Sequence, residues 1–432
     1  MREQNKTITR PGHREDQMAT QQGNPAQGTT KKHRTFLGYL ALMGPAFVVG
    51  AWQFGPGNLT TAVQAGSRFD YSLVWVIAVS TLLMIFFTDM SVRLGIATPT
   101  SLITSIKDHL GKWVGVLAGF GVFGITLMFS VGNAVGSGLG LSLIFGGSPV
   151  LWTVVCTVAV GFVLAFRNVY GIVEKALLVI VVLMGIAFIA STVVAQPDWY
   201  RSMEGMVPQL PAGSEILIVA LVGTNFSINA AFYTSYGIKE HRRTRADYRD
   251  ITLVDTIPGI VAPGIMTALV IMVAAAVLGK TGAEAGTINA LASIFTPLAG
   301  PVGAMLFALG LSGAAFSSMI ANATAGGTML SDAMGRGAEA GSPAARIVTG
   351  MILAFGLIIT LSFQSSPVAL IVIAQSLTVL IAPLLGVLIV IMANRRTVMG
   401  DLRNKWWHNL FGAIGLIAII ASSIRLITTL LG

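Results

Sequence analysis

Gly55-Pro56-Gly57-Asn58 interrupts an apolar run that extends from about Phe36 to Gly66, and that interruption decides the fold. Proline removes a backbone donor and glycine weakens a helix, so the run is expected to split into two half-helices. Within a bilayer the freed peptide groups need partners. Unwound backbone at membrane depth is tolerated only where protein or a water-filled cavity covers it, so the break marks a candidate binding site of a transporter.

Composition puts the chain in a membrane independently of that motif. Of its 432 residues 54% are hydrophobic and only 10% charged, against roughly a quarter charged in soluble domains. Apolar stretches long enough to cross a hydrocarbon core about 30 Å thick recur along the chain. They predict eleven crossings, at about 37–66, 71–96, 112–145, 148–166, 172–195, 214–236, 255–278, 298–328, 346–362, 366–392 and 408–431.

The net charge of +9 sorts by side rather than pointing to nucleic acid. With the amino terminus inside, 23 of the 27 Lys and Arg fall in cytoplasmic segments. Arg68, Arg201 and Lys280 fall outside and Arg425 lies in the last span. That asymmetry satisfies the positive-inside rule and, with an odd number of crossings, leaves the carboxyl terminus outside. Residues 1–35 read as a disordered cytoplasmic tail, because large apolar side chains are almost absent there. Residues 36–432 then form one transmembrane domain. Cys156 is alone, so no intramolecular disulfide is possible and the thiol reads as packing.

The first ten spans divide into two sets of five, about 36–195 and 214–392, followed by an extra helix at about 408–431. The sixth span carries Gly223-Thr224-Asn225-Phe226-Ser227-Ile228-Asn229, a polar interruption at the position equivalent to the first. Five is odd, so the halves have opposite orientation, the geometry of inverted-repeat transporters with paired broken helices.

Several sequence blocks carry a resemblance. Gly44-Pro45-Ala46-Phe47 precedes the first break, Ala65-Gly66-Ser67-Arg68-Phe69-Asp70-Tyr71 follows it, and Ser91-Val92-Arg93-Leu94-Gly95-Ile96-Ala97-Thr98 comes next. Leu306-Phe307-Ala308-Leu309-Gly310-Leu311 with Ser317-Ser318, and Asn394-Arg395-Arg396-Thr397-Val398-Met399-Gly400-Asp401 leading into Trp406-Trp407-His408-Asn409, complete the order. Over residues 40–430 the chain resembles the Nramp divalent-metal transporters. The resemblance implies an all-α polytopic membrane protein of eleven helices with a LeuT-like 5+5 inverted repeat and discontinuous helices 1 and 6. It further implies a multi-pass protein of the plasma membrane, in bacteria the inner membrane, that is not an enzyme and uses no cofactor.

The departures from that family bear on substrate. Members carrying manganese or iron have an aspartate where this chain has Gly55, and a methionine where it has Ser227. Thioether sulfur helps select transition metals, whereas magnesium and calcium prefer oxygen, so a divalent cation here is expected to be magnesium-like. The family's acidic pair in the third span reads Ser130 and Asn133, and its later sixth-span histidine reads Thr234, which removes the expected proton acceptors. The candidate substrate residues are therefore neutral: Gln53, Gly55, Asn58, Asn133, Asn225, Ser227, Asn229 and Gln375. Asn58 and Gln375 match metal-ligand positions of the family and are the metal candidates if the substrate is a cation. A coupling ion, H+ or Na+, is a further expected partner, with Ser317 and Ser318 as candidates for a sodium site by resemblance to LeuT-like symporters.

Half-helix amino termini in this fold favour an anionic group, which makes a small organic carboxylate, or a neutral solute, the alternative substrate. A membrane sensor without transport is a third possibility, and it would have to recruit a partner through its tail or loops. No Gly-x-x-x-x-Gly-Lys-Ser/Thr loop is present, against ATP-driven pumping. Elsewhere, Asp89 and Arg93 are spaced for a helical ion pair. Glu174, Lys175 and Asp255 read as solvated near interfaces. All five histidines, His13, His33, His109, His241 and His408, read as exposed or interfacial.

Overall fold

Proline sets the starts of the helices. Pro45, Pro56, Pro149, Pro301, Pro343 and Pro367 each occupy the first position of a helix, where a missing N–H costs nothing and the fixed φ is already helical. The computed structural model describes Leu42 and residues 44–166, 182–183, 185–279, 288–294, 300–363 and 366–431. In chain order the helices are α1 (Pro45–Gln53), α2 (Pro56–Phe69), α3 (Val74–Ala97), α4 (Leu102–Leu110), α5 (Lys112–Phe145), α6 (Pro149–Ala165) and α7 (Gly185–Ala195). After these come α8 (Trp199–Glu204), α9 (Glu215–Asn225), α10 (Ile228–Glu240), α11 (Arg245–Gly279), α12 (Ile288–Ser293), α13 (Pro301–Ala333) and α14 (Pro343–Ser362). The chain closes with α15 (Pro367–Leu377), α16 (Ala382–Asn394), the short α17 (Arg396–Met399) and α18 (Trp406–Leu431).

Among the described residues seven helices are long and apolar enough to cross a membrane, counting α9 with α10 as one, and the bent pair Pro367–Leu380 and Ala382–Asn394 makes eight. The eleven expected crossings are not all of that length. The first is divided between α1 and α2, the fourth is the 17-residue α6, and the fifth is described mainly as α7. The expected span 366–392 is bent by 40°. The expected tail 1–35 and the pair Glu174 and Lys175 lie outside the described residues.

Two groups of helices organise the bundle. α5, α6, α13 and α14 pack chiefly on one another, with α4 lying on α5. α1, α2, α3, α9, α10 and α11 form the second group. Large apolar side chains such as Leu117, Phe120, Leu151, Val158, Phe162, Ile417 and Ile424 face outward, as expected where lipid is the solvent. Polar side chains face inward.

Asp255 corrects one expectation. It is fully buried, in the π-turn Thr252–Thr256 of α11. Its Oδ1 accepts the N–H of Gly44 at 2.8 Å and its Oδ2 that of Ala46 at 3.1 Å. A helix amino terminus carries unpaired N–H groups and a partial positive charge, and a carboxylate there satisfies both. α1 and α11 also approach closely, since a Cβ on Gly50 would lie 1.9 Å from the carbonyl oxygen of Gly259.

His408 is a second correction, being buried rather than interfacial. Its Nδ1 accepts the N–H of Lys405 at 3.0 Å, and its Nε2 stands 3.5 Å from Asp89 Oδ2. Asp89 forms the expected pair with Arg93, whose Nε donates at 2.8 Å, and also accepts the Tyr248 hydroxyl at 2.7 Å.

Candidate substrate site

Both polar interruptions are true helix breaks, and each is shorter than its motif. In the first, Phe54 and Gly55 leave helical geometry while Pro56, Gly57 and Asn58 already form the first turn of α2. In the second, Phe226 and Ser227 separate α9 from α10. Two half-helices therefore begin at the breaks, α2 and α10. Each presents first-turn N–H groups that its own helix cannot use.

Gly55 is needed for space rather than for backbone freedom. Its φ of −91° and ψ of −177° are open to any residue. A Cβ there, however, would lie 2.8 Å from Ser318 Oγ and 3.4 Å from Asn133 Oδ1. Ser318 donates its hydroxyl to the carbonyl of Trp52 at 3.0 Å, which satisfies one carbonyl freed by the break. Gly55, Asn133 and Ser318 are thus brought together from α5, α13 and the first break. Ser317, the other sodium candidate, is only half-buried and makes no comparable contact.

Gln375 of α15 occupies a niche made by glycines on three other helices. A Cβ on Gly57 would lie 2.5 Å from its Cδ, one on Gly132 2.4 Å from its Nε2, and one on Gly223 2.5 Å from its carbonyl oxygen. Its side chain is 0% exposed, and neither Nε2 nor Oε1 has a hydrogen-bond partner. Leaving a buried polar atom unpaired costs about 1–3 kcal/mol, so an amide with both ends unpaired is a strong pointer to a ligand.

Three further amides share this property in part. Gln53 Nε2, Asn133 Nδ2 and Asn229 Nδ2 are buried without partners. Asn229 Oδ1 accepts the Ser227 hydroxyl at 2.7 Å, so those two candidates hold each other at the second break. Asn58 is engaged on both sides: its Nδ2 donates to Thr267 Oγ1 at 2.9 Å, and the Thr224 hydroxyl stands 3.5 Å from its Oδ1. Asn225 is turned away, donating to the Ile77 carbonyl at 3.3 Å and to Thr81 Oγ1 at 2.9 Å on α3. It ties α9 to α3.

Of the three residues standing at the family's proton positions, Ser130 and Thr234 are structural here, whereas Asn133 stays with the candidate amides. Ser130 donates to the carbonyl of Ile352 on α14, and Thr234 to that of Ala230 one turn back in α10. Among the described residues no group of three or more His, Cys, Asp and Glu could hold a metal ion. Sequence reading missed Gly57, Gly132, Gly223, Thr224 and Thr267. The cluster of glycines in α5 was a signal for close approach, but nothing local says that a glutamine side chain fills the space.

The site is closed to solvent on every side, since Gln53, Asn58, Asn133, Ser227, Asn229 and Gln375 are all buried. Near it, Trp52 meets Tyr233 edge to face at 6.3 Å between ring centroids, and Phe54 meets Phe188 at 6.0 Å. Polar contact at the breaks is offered by amides and helix amino termini.

Comparison with known proteins places this geometry. The chain is 28% identical over 435 residues to the divalent metal cation transporter MntH of Deinococcus radiodurans, covering 98% of this chain and 97% of the relative. Its fold is similar to the crystal structure of the Eremococcus coleocola manganese transporter, with a TM-score of 0.74 at 18% identity over 90% of this chain and 87% of the other. It is also similar to MhsT solved in complex with L-phenylalanine, with a TM-score of 0.56 at 17% identity over 88% and 98% of the two chains. The sequence model for natural resistance-associated macrophage protein-like proteins matches residues 46–429, and the chain therefore belongs to the Nramp family of multi-pass membrane transporters.

Proposed function

We propose that this protein is a secondary transporter that moves a small solute bearing a carboxylate by alternating access around the chamber between the two breaks. One observation carries this reading: among the described residues no anionic side chain stands at either break, while two half-helix amino termini begin there and Gln53, Asn133, Asn229 and Gln375 each leave a buried amide N–H unpaired. A buried cation there would be uncompensated, at a cost of several kcal/mol even after relaxation. A carboxylate instead meets partial positive charge and donors, the arrangement by which half-helices hold anionic groups in this class of fold.

A divalent cation is the second reading, supported by the similarity to divalent metal cation transporters MntH and by the amide oxygens of Asn58 and Gln375. Those oxygens would hold the ion with part of its water shell, as suits a hard cation such as magnesium. Sodium coupling is supported by the convergence of Ser318 Oγ and the Trp52 carbonyl. The Lys and Arg asymmetry supports a plasma-membrane setting with the amino terminus in the cytoplasm.

Uptake into proteoliposomes, comparing manganese, magnesium and a panel of small carboxylates with and without a sodium or proton gradient, tests these readings together. Saturable carboxylate uptake is expected. Saturable manganese uptake that is abolished at Asn58→Ala, with no carboxylate carried, overturns the proposal.

A further inference from the structure

We propose that Tyr236 and Asp332 form an inner gate, a hydroxyl–carboxylate latch that holds α10 against α4 and α13 and must open before the chamber reaches the cytoplasm. This rests on the transporter reading above for its role, though not for its existence. Asp332, near the carboxyl end of α13, is buried, and its Oδ2 accepts the Tyr236 hydroxyl of α10 at 2.6 Å. The same oxygen accepts Ser101 Oγ at 2.5 Å, while Oδ1 accepts Thr104 Oγ1 at 2.8 Å. Lys107 Nζ reaches the backbone carbonyl of Asp332.

These bonds are not equivalent. Ser101, Thr104 and Lys107 belong to α4 or its cap, which lies on α5 with α13, so their bonds stay within one helix group. Tyr236 alone brings a bond from the other group. Packing between α10 and the α4, α5 and α13 group is sparse, so a single charge-assisted bond carries a large share of that contact.

The latch also connects inward to the site. Tyr236 stacks on Tyr233 at 6.0 Å, and Tyr233 meets Trp52, whose carbonyl receives Ser318 at the first break. Withdrawing Tyr236 therefore removes the support of the aromatic pair that covers this end of the chamber. Coupling needs physical contact between the elements that move, and this chain of contacts joins the latch to the first break.

The test uses full-length protein with Cys156→Ser, and a reporter cysteine at Thr234, which is buried on α10. A membrane-impermeant maleimide is applied to the cytoplasmic face of oriented vesicles. Tyr236→Phe and Asp332→Asn are each expected to speed labelling about tenfold, the worth of one bond to a charged acceptor. Thr104→Val, which removes a bond inside one helix group, is expected to leave the rate within about twofold. No acceleration with Tyr236→Phe, equal acceleration with Thr104→Val, or acceleration only from the opposite face each overturns the latch. Labelling needs no substrate, so a failed uptake assay sinks the transport reading while leaving this result intact.

Discussion

Two buried polar regions of this molecule are built to opposite plans. Around the breaks, polar side chains are neutral amides and hydroxyls, several atoms are unpaired, and glycines let neighbouring side chains and backbone approach closely. Where α10 and α13 end and α4 begins, and again around Asp89, carboxylates are present and have collected two or three donors each, although Arg93 Nη2 and His408 Nε2 beside Asp89 stay unpaired. Satisfied networks fix helices to one another, whereas unsatisfied ones await a partner. The contrast teaches that charge has been kept from the breaks, where cargo is proposed to bind, and assigned to the places that hold the fold.

Restoring charge to the chamber should produce the largest effect. With Gly55→Asp, Ser318 Oγ must rotate away from Trp52, and a carboxylate enters among the amides; uptake of a small carboxylate is expected to fall at least about 100-fold. Calorimetric affinity for manganese should rise in the same variant. Undiminished carboxylate uptake would erase the distinction between the regions. Next, Gln375→Ala should weaken substrate binding about 10- to 100-fold, measured by equilibrium binding, with little change in melting temperature because its amide has no partner to lose. A large loss of stability would mean that Gln375 belongs to the structural plan instead.

Asp255→Asn tests the other region: with one N–H acceptor gone from the start of α1, about 1–2 kcal/mol is expected to be lost, read as a lower unfolding temperature in detergent. Arg245→Ala should do least. Its pair with Asp401 is exposed on both sides and screened by water and salt, so melting temperature and uptake should match the parent protein within error.

The sequence made the breaks visible because proline and glycine act locally, through a lost donor and a weakened helix. It also revealed that Gly55 and Ser227 stand where the family has Asp and Met, since identity at a position needs no geometry. Partners across the bundle were beyond it. Asp255 looks like a solvated residue until Gly44 and Ala46 are placed against it, and His408 looks interfacial until Asp89 lies beside it. Asn225 stands within a break motif yet serves α3, because each step of one residue along a helix turns the side chain by about 100° toward a different neighbour. Gly57 and Gly223 read only as parts of the two interruptions; their approach to Gln375, and that of Gly132, appears once the helices are packed together.

The carboxylate of Asp255 also constrains how α1 can travel. Bound to the opening amides of α1 and set in a π-turn of its own helix, it makes α1 and the start of α11 a single lever rather than two independent arms. Any swing of α1 about Phe54 and Gly55 must drag α11 along, or else unwind that turn to α geometry and turn the later part of α11 by about 100°. In the proposed transport cycle, thermal motion of one thin half-helix is therefore an insufficient engine; the stroke requires the pair.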